Sequence, residues 1–255
     1  MHNLKISIIT VSFNSEKTIK KTLESVANQS FKKIEHLIID GKSIDKTILI
    51  AKKFPHIKKI ISTSDNGIYH AMNKGLGLAS GDVIGFLNSD DFYANDEVLT
   101  NVAREFKKDK SLEVCYADLI YVSRFRTSKI IRYFKSKEFK KGLFSKGWCP
   151  PHPTFFVRRS VYKRFGKFDL NYRIASDVDL MMRFLEIHKV KFRYISEIWV
   201  KMRMGGITNK NLKNIWLQNQ EILNSFHKNG LSVHPITFFI YKIFSRFFQF
   251  FKRKF

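Results

Sequence analysis

Apolar residues in the first 118 positions alternate between two spacings, which predict alternating strands and helices. Short apolar runs are typical of buried strands and lie at 5–11, 35–39, 59–62, 83–87 and 112–116. Between them, apolar residues recur every three or four positions and predict helices over 15–28, 44–54, 68–79 and 95–106. Ser15 and Ser43 are the expected capping residues of the first two helices. This order predicts an α/β fold with a mainly parallel sheet and helices on both faces.

The regular order ends after residue 118, and the rest of the chain has a more mixed pattern. Three prolines, Pro150, Pro151 and Pro153, interrupt the chain before a further strand pattern. The predicted strands of this half are 119–122, 130–133, 154–157 and 191–195. The predicted helices are 178–188, 212–227 and 235–251.

The charge of this 255-residue chain is unevenly distributed. Its formal net charge is +24. Residues 1–100 hold 13 Lys or Arg against 11 Asp or Glu, whereas the remaining residues hold 33 against 11. A basic second half favours an anionic partner, such as nucleic acid, a phosphate-bearing substrate or an anionic membrane. The alternative, a genome rich in lysine codons, leaves the nearly neutral first hundred residues unexplained.

Cysteine content and hydropathy weigh against several classes of protein. The two cysteines, Cys115 and Cys149, cannot form a disulfide framework, and their spacing from histidines does not resemble a zinc site. We therefore expect a reducing compartment. The apolar run at 6–11 is too short for a signal peptide, and we find no clean apolar stretch of about 18 residues that would predict a transmembrane span.

Polar residues directly follow four of the predicted strands, at residues 10–14, 40–43, 64–67 and 88–91. Ligands of open parallel sheets bind beyond the carboxyl ends of the strands. The helices that follow these loops can also offer backbone N–H groups to a diphosphate. The sequence therefore predicts that the four loops line one pocket.

The last of these loops, Asn88-Ser89-Asp90-Asp91, is rich in hard oxygen ligands. Such ligands suit Mg²⁺ or Mn²⁺, and an ion of this kind can bridge the oxygens of a bound diphosphate. Taken alone, the motif is also explained by an ordinary aspartate-rich turn.

Six segments of the chain together resemble family 2 glycosyltransferases in their order and spacing. Two of them read SDNGIYHAMNKGLGLASGDVIGFLNSDDFY and PPHPTFFVRRSVYKRFGKFD. The six segments are residues 10–30, 34–47, 64–93, 150–169, 175–183 and 202–208. The DNGIYHAMNKG and GGI pieces are similar to bacterial enzymes of O-antigen, capsule and exopolysaccharide assembly.

The fold implied by this resemblance is GT-A, with a Rossmann-like nucleotide-binding half. It implies a glycosyltransferase domain over 1–208, divided into a nucleotide-sugar-binding half over 1–118 and an acceptor half over 119–208. The remaining segment, 209–255, is then a helical, membrane-associating tail.

The resemblance also implies roles for the polar loops. Asp90, with Asp91 beside it, is implied to bind Mg²⁺ or Mn²⁺ as cofactor. Asn88 stands where the family has the first aspartate of its DxD motif, so this site has one negative charge fewer. The residues implied to surround the nucleotide sugar are Thr10, Ser12, Asn14, Asp40, Asp65 and Asn88, with Asp40 contacting the base.

In the second half, Asp177 matches the aspartate of the family's ED motif, the catalytic base, although Ser176 replaces the usual Glu. The alternative is that Asp177 only favours the helix dipole as a first-turn acid. Asp179 is better explained by an i,i+4 ion pair with Arg183. His152 and Arg203 are candidates for contacts to acceptor or phosphate, with a loop histidine and a solvated arginine as the alternatives.

These features predict an inverting transferase that moves a hexose or N-acetylhexosamine from a nucleotide sugar to a lipid-diphosphate-linked saccharide. UDP is favoured by resemblance only. Two alternatives stay open: the basic, aromatic segment 124–148 is also typical of single-strand nucleic-acid binding, and Asn88 and Ser176 fit an inactive scaffold. Because acidic strand ends repel phosphates, we expect no nucleic-acid partner.

The C-terminal segment 234–255 contains eight phenylalanines and no acidic residue. A helix of this composition lies in the plane of a membrane, with its polar stripe at the headgroups. We therefore expect a cytoplasmic protein held peripherally on the anionic inner face of the cytoplasmic membrane; the alternative is a helix packed on the enzyme's own core. The expected polar stripe is Lys242, Ser245, Arg246, Gln249 and Arg253, and the added cations are Lys252, Arg253 and Lys254.

Overall fold

The computed structural model of the protein describes residues 4–205 and 212–251. Its strands are β1 (Ile6–Ser12), β2 (Ile34–Asp40), β3 (Ile57–Ser62), β4 (Val83–Phe86), β5 (Phe92–Tyr93), β6 (Val114–Val122), β7 (Ile130–Phe134), β8 (Phe156–Arg158) and β9 (Phe192–Arg203). Its α-helices are α1 (Ile19–Ala27), α2 (Thr47–Ala51), α3 (Ile68–Leu78), α4 (Val98–Lys108), α5 (Arg159–Phe165), α6 (Ser176–Met182), α7 (Leu212–Lys228) and α8 (Pro235–Phe251).

Over the described residues these strands form one sheet, in the spatial order β3-β2-β1-β4-β8-β6-β9-β5, with β7 paired to β6. The first part is parallel: β1 pairs with β2 and with β4, and β2 pairs with β3. This arrangement confirms the predicted α/β fold and brings the carboxyl ends of these strands to one edge. Beyond β4 the sheet becomes mixed, because β8 runs antiparallel between β4 and β6.

Both faces of the parallel part are buried, as the apolar runs predicted. Ile6 and Ile8 of β1 pack on the side that α4 covers, whereas Ile9 packs on the side that α3 covers. Helix α3 approaches the sheet closely at Gly75. A Cβ atom at Gly75 would lie 2.5 Å from Ile9 Cγ2, so only glycine permits this approach.

The structure differs from the sequence prediction mainly in the second half. One continuous strand, β6, replaces the two strands predicted at 112–116 and 119–122. Strand β9 continues well beyond the predicted end at residue 195, because it pairs in parallel along β6 through register shifts near Asp118. Helix α5 and the short strand β5 were not predicted, and the helix predicted over 44–54 is only the five residues of α2.

The two C-terminal helices pack on the rest of the protein. Ile222 and Phe226 of α7 and Phe238 of α8 belong to the main core cluster, which also contains Ile9 of β1. Within the described residues no helix has the length and apolar character needed to cross a membrane. The segment 206–211, with Gly206 and Ile207 of the GGI piece, and residues 252–255, with three of the predicted cations, lie outside the described residues. The domain division at residue 208 stays a prediction.

Candidate active site

A cleft of about 1160 Å³ lies at the carboxyl edge of the parallel strands. All four polar loops predicted to meet there contribute to it, through 11–14, Gly41, Asp65 with Gly67, and 88–90. The second half of the chain supplies the opposite side, and the C-terminal helices border it. The cleft-lining residues of these parts include Arg124, Arg132, Trp148, His152, Asp177, Arg203, Gln218, Ile222, Phe238 and Lys242.

Asn14 joins the first two loops of the cleft. Its φ of 46° is in the left-handed region, which asparagine tolerates better than most residues. Its side-chain oxygen accepts a hydrogen bond from Ile44 N at 3.0 Å, and its own N–H donates to Ser43 Oγ at 2.8 Å. Asn14 and Ser12 line the cleft, and so does Asp65, as predicted for the polar loops.

Asp40 lies beneath this loop and not on the cleft surface. Its side chain is fully buried, and its carboxylate accepts hydrogen bonds from the hydroxyls of Ser12, Ser43 and Ser62 and from Ser43 N. Four donors saturate the carboxylate, so in this structure Asp40 organises the loop while its neighbour Gly41 lines the cleft. A direct contact from Asp40 to a nucleotide base therefore stays a prediction.

Thr10 is likewise buried below the cleft. Its hydroxyl is 2.9 Å from His36 Nε2, and His36 Nδ1 is 2.9 Å from His56 Nε2. Complete burial, with the neighbouring charge of His56 as a smaller cause, lowers the pKa of His36 to about 3. The structure therefore places Thr10 in a buried polar chain between β1 and β2, one residue before the first cleft-lining position.

Ser15 and Arg203 hold the loop at 88–91. Helix α1 begins at Ile19 and not at the predicted cap Ser15, whose hydroxyl instead lies 2.8 Å from Ser89 Oγ. The Arg203 guanidinium donates to the main-chain oxygen of Asp90, and Arg203 N donates to Asp91 Oδ1 at 3.3 Å. Arg203 is itself largely buried and lines the cleft, so the alternative of a fully solvated arginine does not describe it.

The two aspartates of this loop differ in position. Asp90 lines the cleft, and burial raises its pKa against the opposing charges of Arg203 and Arg124. Asp91 is fully buried and is not among the cleft-lining residues. Burial, followed by the charge of Asp90, raises the pKa of Asp91 well above its usual range.

The residues present fit a divalent cation that shares its ligands with a substrate. Asn88 Oδ1 is buried without a hydrogen-bond partner, and Asn88 and Asp90 both line the cleft. Within residues 4–205 and 212–251, no group of three or more His, Cys, Asp or Glu side chains is arranged to hold a metal. Mg²⁺ typically takes one or two protein carboxylates plus phosphate and water oxygens, which this pair can accommodate.

Asp177 lies in the first turn of α6 and faces the cleft. The Tyr69 hydroxyl, from α3, is 2.9 Å from Asp177 Oδ1 and 2.8 Å from Ile174 O. Burial and the nearby charge of Asp177 raise the pKa of Tyr69 well above its usual range, so Tyr69 stays protonated and donates. Asp179, two residues on, pairs with Arg183 Nε at 2.8 Å, which confirms the predicted i,i+4 ion pair.

His152 lines the cleft from a buried position between aromatic rings. Its ring stacks on Phe86 with centroids 5.5 Å apart, and Phe168 meets it edge-on at 5.6 Å. Burial lowers the pKa of His152, against the opposing charge of Asp177, so the ring is neutral at neutral pH. A neutral, packed imidazole suits hydrogen bonding to a sugar or hydroxyl better than binding of a phosphate charge.

The family model described as "Glycosyl transferase family 2" matches residues 7–166, which include all four polar loops of the cleft. The chain belongs to this family. A glycosyltransferase of PGL/p-HBAD biosynthesis from Mycobacterium bovis is 29% identical to it over 208 residues, which are 80% of this chain and 78% of the relative.

Two solved structures share the fold of this glycosyltransferase. Residues 1–349 of S. aureus TarS, in complex with UDP-GlcNAc, superpose with a TM-score of 0.65 at 19% identity, over 94% of this chain and 70% of that one. The mannosyltransferase PcManGT of Pyrobaculum calidifontis, in complex with GDP-Man and Mn²⁺, superposes with a TM-score of 0.66 at 15% identity, over 96% and 70%. A structure of a longer TarS chain also matches, and this protein covers 40% of that chain. These likenesses confirm the GT-A fold.

Sequence reasoning did not identify several residues of this glycosyltransferase site. Tyr69 lies inside the DNGIYHAMNKG segment that carries the family resemblance, but the sequence did not predict its contact with Asp177. Gln218 and Lys242 line the cleft from α7 and α8, and nothing in their local sequence indicates that they do. Arg124 and Arg132 were grouped with the basic segment and not with the site.

Proposed function

We propose that this glycosyltransferase transfers a hexosyl or N-acetylhexosaminyl group from a UDP-sugar to a lipid-diphosphate-linked saccharide during surface-polysaccharide assembly. The observation that carries the proposal is a single cleft with the donor-side loops on one side and Asp177 on the other. The nucleotide-sugar complexes of TarS and PcManGT, which share this fold, support the donor class.

The proposed chemistry is one displacement with inversion at the anomeric carbon. Asp177 accepts the proton of the acceptor hydroxyl as that oxygen attacks, and Tyr69 holds the carboxylate in place through Oδ1. The bond to the nucleotide diphosphate breaks in the same step, and its oxygens receive the negative charge. The guanidinium groups of Arg203 and Arg124, which line the cleft, stabilise that charge.

We further propose that Mg²⁺ or Mn²⁺ acts as cofactor, held by Asp90 and the amide oxygen of Asn88. Bound there, the ion would supply charge neutralisation to the diphosphate of the donor. The unpartnered, buried Asn88 Oδ1 supports this assignment. Asp91 is expected to support the loop from below, since it is not among the cleft-lining residues.

The proposal also includes attachment to an anionic membrane through α8. Phe238 is buried in the core, and Lys242 Nζ donates to Asn219 of α7 at 2.6 Å, so these two residues of α8 face the rest of the protein. The outward side is apolar, with Ile243 67% exposed and Phe244 58% exposed. A fully buried Phe or Ile side chain gains about 1.5–3 kcal/mol, so partial insertion of several such residues suffices for binding.

A further exposed aromatic residue lies on the β6–β7 hairpin, whose strand β7 contacts α8. Phe125 is 90% exposed at the tip of the β6–β7 hairpin, between Arg124 and Arg126. Helix α8 packs against β7 of this hairpin. Cationic residues close to an anionic surface add about 1 kcal/mol each, which supports lipid as the partner of this side of the protein.

Asp177→Asn tests the central proposal. Donors are first chosen from UDP-, GDP- and dTDP-sugars by the rise in melting temperature that each produces. The amide still accepts a hydrogen bond from Tyr69 but cannot take a proton, so turnover should fall by about 10²–10⁴-fold. Donor affinity, measured by calorimetry, and melting temperature should stay close to the wild-type values. Near-normal turnover of this variant would show that Asp177 is not the base.

A further inference from the structure

A buried carboxylate of α7 holds the loop that leads to Asp177. Glu221 Oε1 accepts a hydrogen bond from Arg173 N at 2.8 Å. Glu221 Oε2 accepts from Ile174 N at 2.8 Å and from Ala175 N at 2.9 Å. Three consecutive backbone donors on one ionised acceptor form a strong, directional anchor. Ala175 directly precedes α6, whose second residue is Asp177.

Tyr69 also contacts the loop 173–175. The Tyr69 hydroxyl lies 2.8 Å from Ile174 O and 2.9 Å from Asp177 Oδ1. Ile174 N–H therefore donates to Glu221, and Ile174 O shares the one hydroxyl proton of Tyr69 with Asp177 Oδ1. A shift of this loop moves the main chain from which Asp177 projects and the hydroxyl that orients its carboxylate.

One turn beyond Glu221, helix α7 also contacts α6 itself. Ser225 Oγ donates to Asp179 Oδ1 at 2.6 Å, and Asn229 Nδ2 is 3.1 Å from the same oxygen. This contact is buried like that of Glu221, but it involves the helix after Asp177 and not the loop before it. Ser225 is therefore a matched control position for Glu221. It lies on the same helix, is also buried, and also bonds to the region around Asp177.

We propose that Glu221 is a positioning residue of the transferase, which fixes the loop 173–175 so that Asp177 meets the acceptor hydroxyl. The inference rests on the proposed role of Asp177 as base. Glu221 is not among the residues that line the cleft, although Gln218 and Ile222 of the same helix are. Its effect on the reaction therefore passes through the loop and not through a contact with substrate.

Glu221→Gln removes the charge while keeping the size of the side chain. Its one carbonyl oxygen cannot serve the three N–H groups that two carboxylate oxygens accept, and its NH₂ group faces a backbone donor. In the full chain, amide hydrogen exchange over 173–177 should accelerate by tenfold or more. With the donor chosen in the melting-temperature screen, kcat should fall by about tenfold or more while the KM for donor changes by less than about twofold.

Ser225→Ala and Asp177→Asn complete the test. Ser225→Ala should leave exchange over 173–177 and kcat near the wild-type values, and Glu221→Asp should recover part of the lost kcat. Unchanged exchange and unchanged kcat in Glu221→Gln would overturn the inference, as would equal losses of kcat in Glu221→Gln and Ser225→Ala. If Asp177→Asn keeps its turnover, Asp177 is not the base. If Asp177→Asn loses turnover but Glu221→Gln keeps it, Asp177 is the base and Glu221 does not position it.

Discussion

The buried histidine that contacts Thr10 of β1 makes the stability of this glycosyltransferase dependent on pH. His36 is fully buried, and burial lowers its pKa to about 3 from 6.5, the ordinary value that it has in the unfolded chain. The unfolded state therefore binds more protons between these two values. It follows that the stabilising contribution of the neutral ring is complete above pH 6.5 and is lost progressively as the pH falls toward 3.

The size of the effect follows from the pKa difference. Between about pH 7.5 and about pH 5.5, His36 of the unfolded chain takes up nearly one proton that the folded protein does not bind. At about 1.36 kcal/mol for each pH unit below the unfolded pKa, the free energy of unfolding should fall by about 1.4 kcal/mol. Burial also lowers the pKa of His56, which adds to the loss in the same direction.

Urea unfolding of wild type, His36→Asn and His227→Asn at these two pH values measures the effect. His36→Asn is less stable at both values, because Thr10 loses its ring partner, but its pH dependence should be smaller by about 1.4 kcal/mol. His227 is exposed, so its replacement leaves the contact between His36 and His56 untouched and serves as the control. Equal pH dependence in His36→Asn and wild type would refute the reasoning.

Three further predictions follow from the cleft and its borders. Asp90→Asn should remove the enhancement of UDP binding by Mn²⁺, measured by calorimetry with and without the ion, while melting temperature changes little. Ile243→Ser combined with Phe244→Ser should reduce flotation with anionic liposomes; Leu49→Ser, at a similarly exposed apolar residue of α2, should not. Asp40→Asn should lower the free energy of unfolding by about 2 kcal/mol or more in urea, because one carbonyl oxygen cannot accept its four hydrogen bonds.

The parallel part of the sheet was predictable because its apolar runs are short and bounded by polar loops. The runs that became β1, β2, β3 and β4 shift by no more than about two residues between prediction and structure. Strand β9 was cut short in the prediction because Ser196 and Glu197 interrupt its apolar pattern. Its pairing with β6 continues past them through an irregular register, which is a tertiary effect that no local pattern records.

The polar loops of the site were predictable by position, but the direction of each side chain was not. Asp40 and Asp90 both follow parallel strands, and the sequence treats them alike. Only the fold shows that Ser12, Ser43 and Ser62 surround Asp40, whereas Asp90 reaches the cleft. The role of Glu221 could not be predicted for a related reason: 46 to 48 residues separate it from the three backbone N–H groups that donate to it.

The position of α8 bears on how membrane attachment should be tested. Phe238 and Lys242 line the cleft, while Ile243 and Phe244 point outward, so this helix is a wall of the cleft on one side and an apolar surface on the other. Deleting the helix would remove a buried core residue together with the exposed face, and loss of membrane binding and loss of activity would then be inseparable. Substitutions confined to the outward face leave the wall intact. If they abolish flotation while turnover on a water-soluble acceptor persists, the outward face serves only attachment; if turnover falls equally, lipid contact and cleft geometry are coupled through the helix.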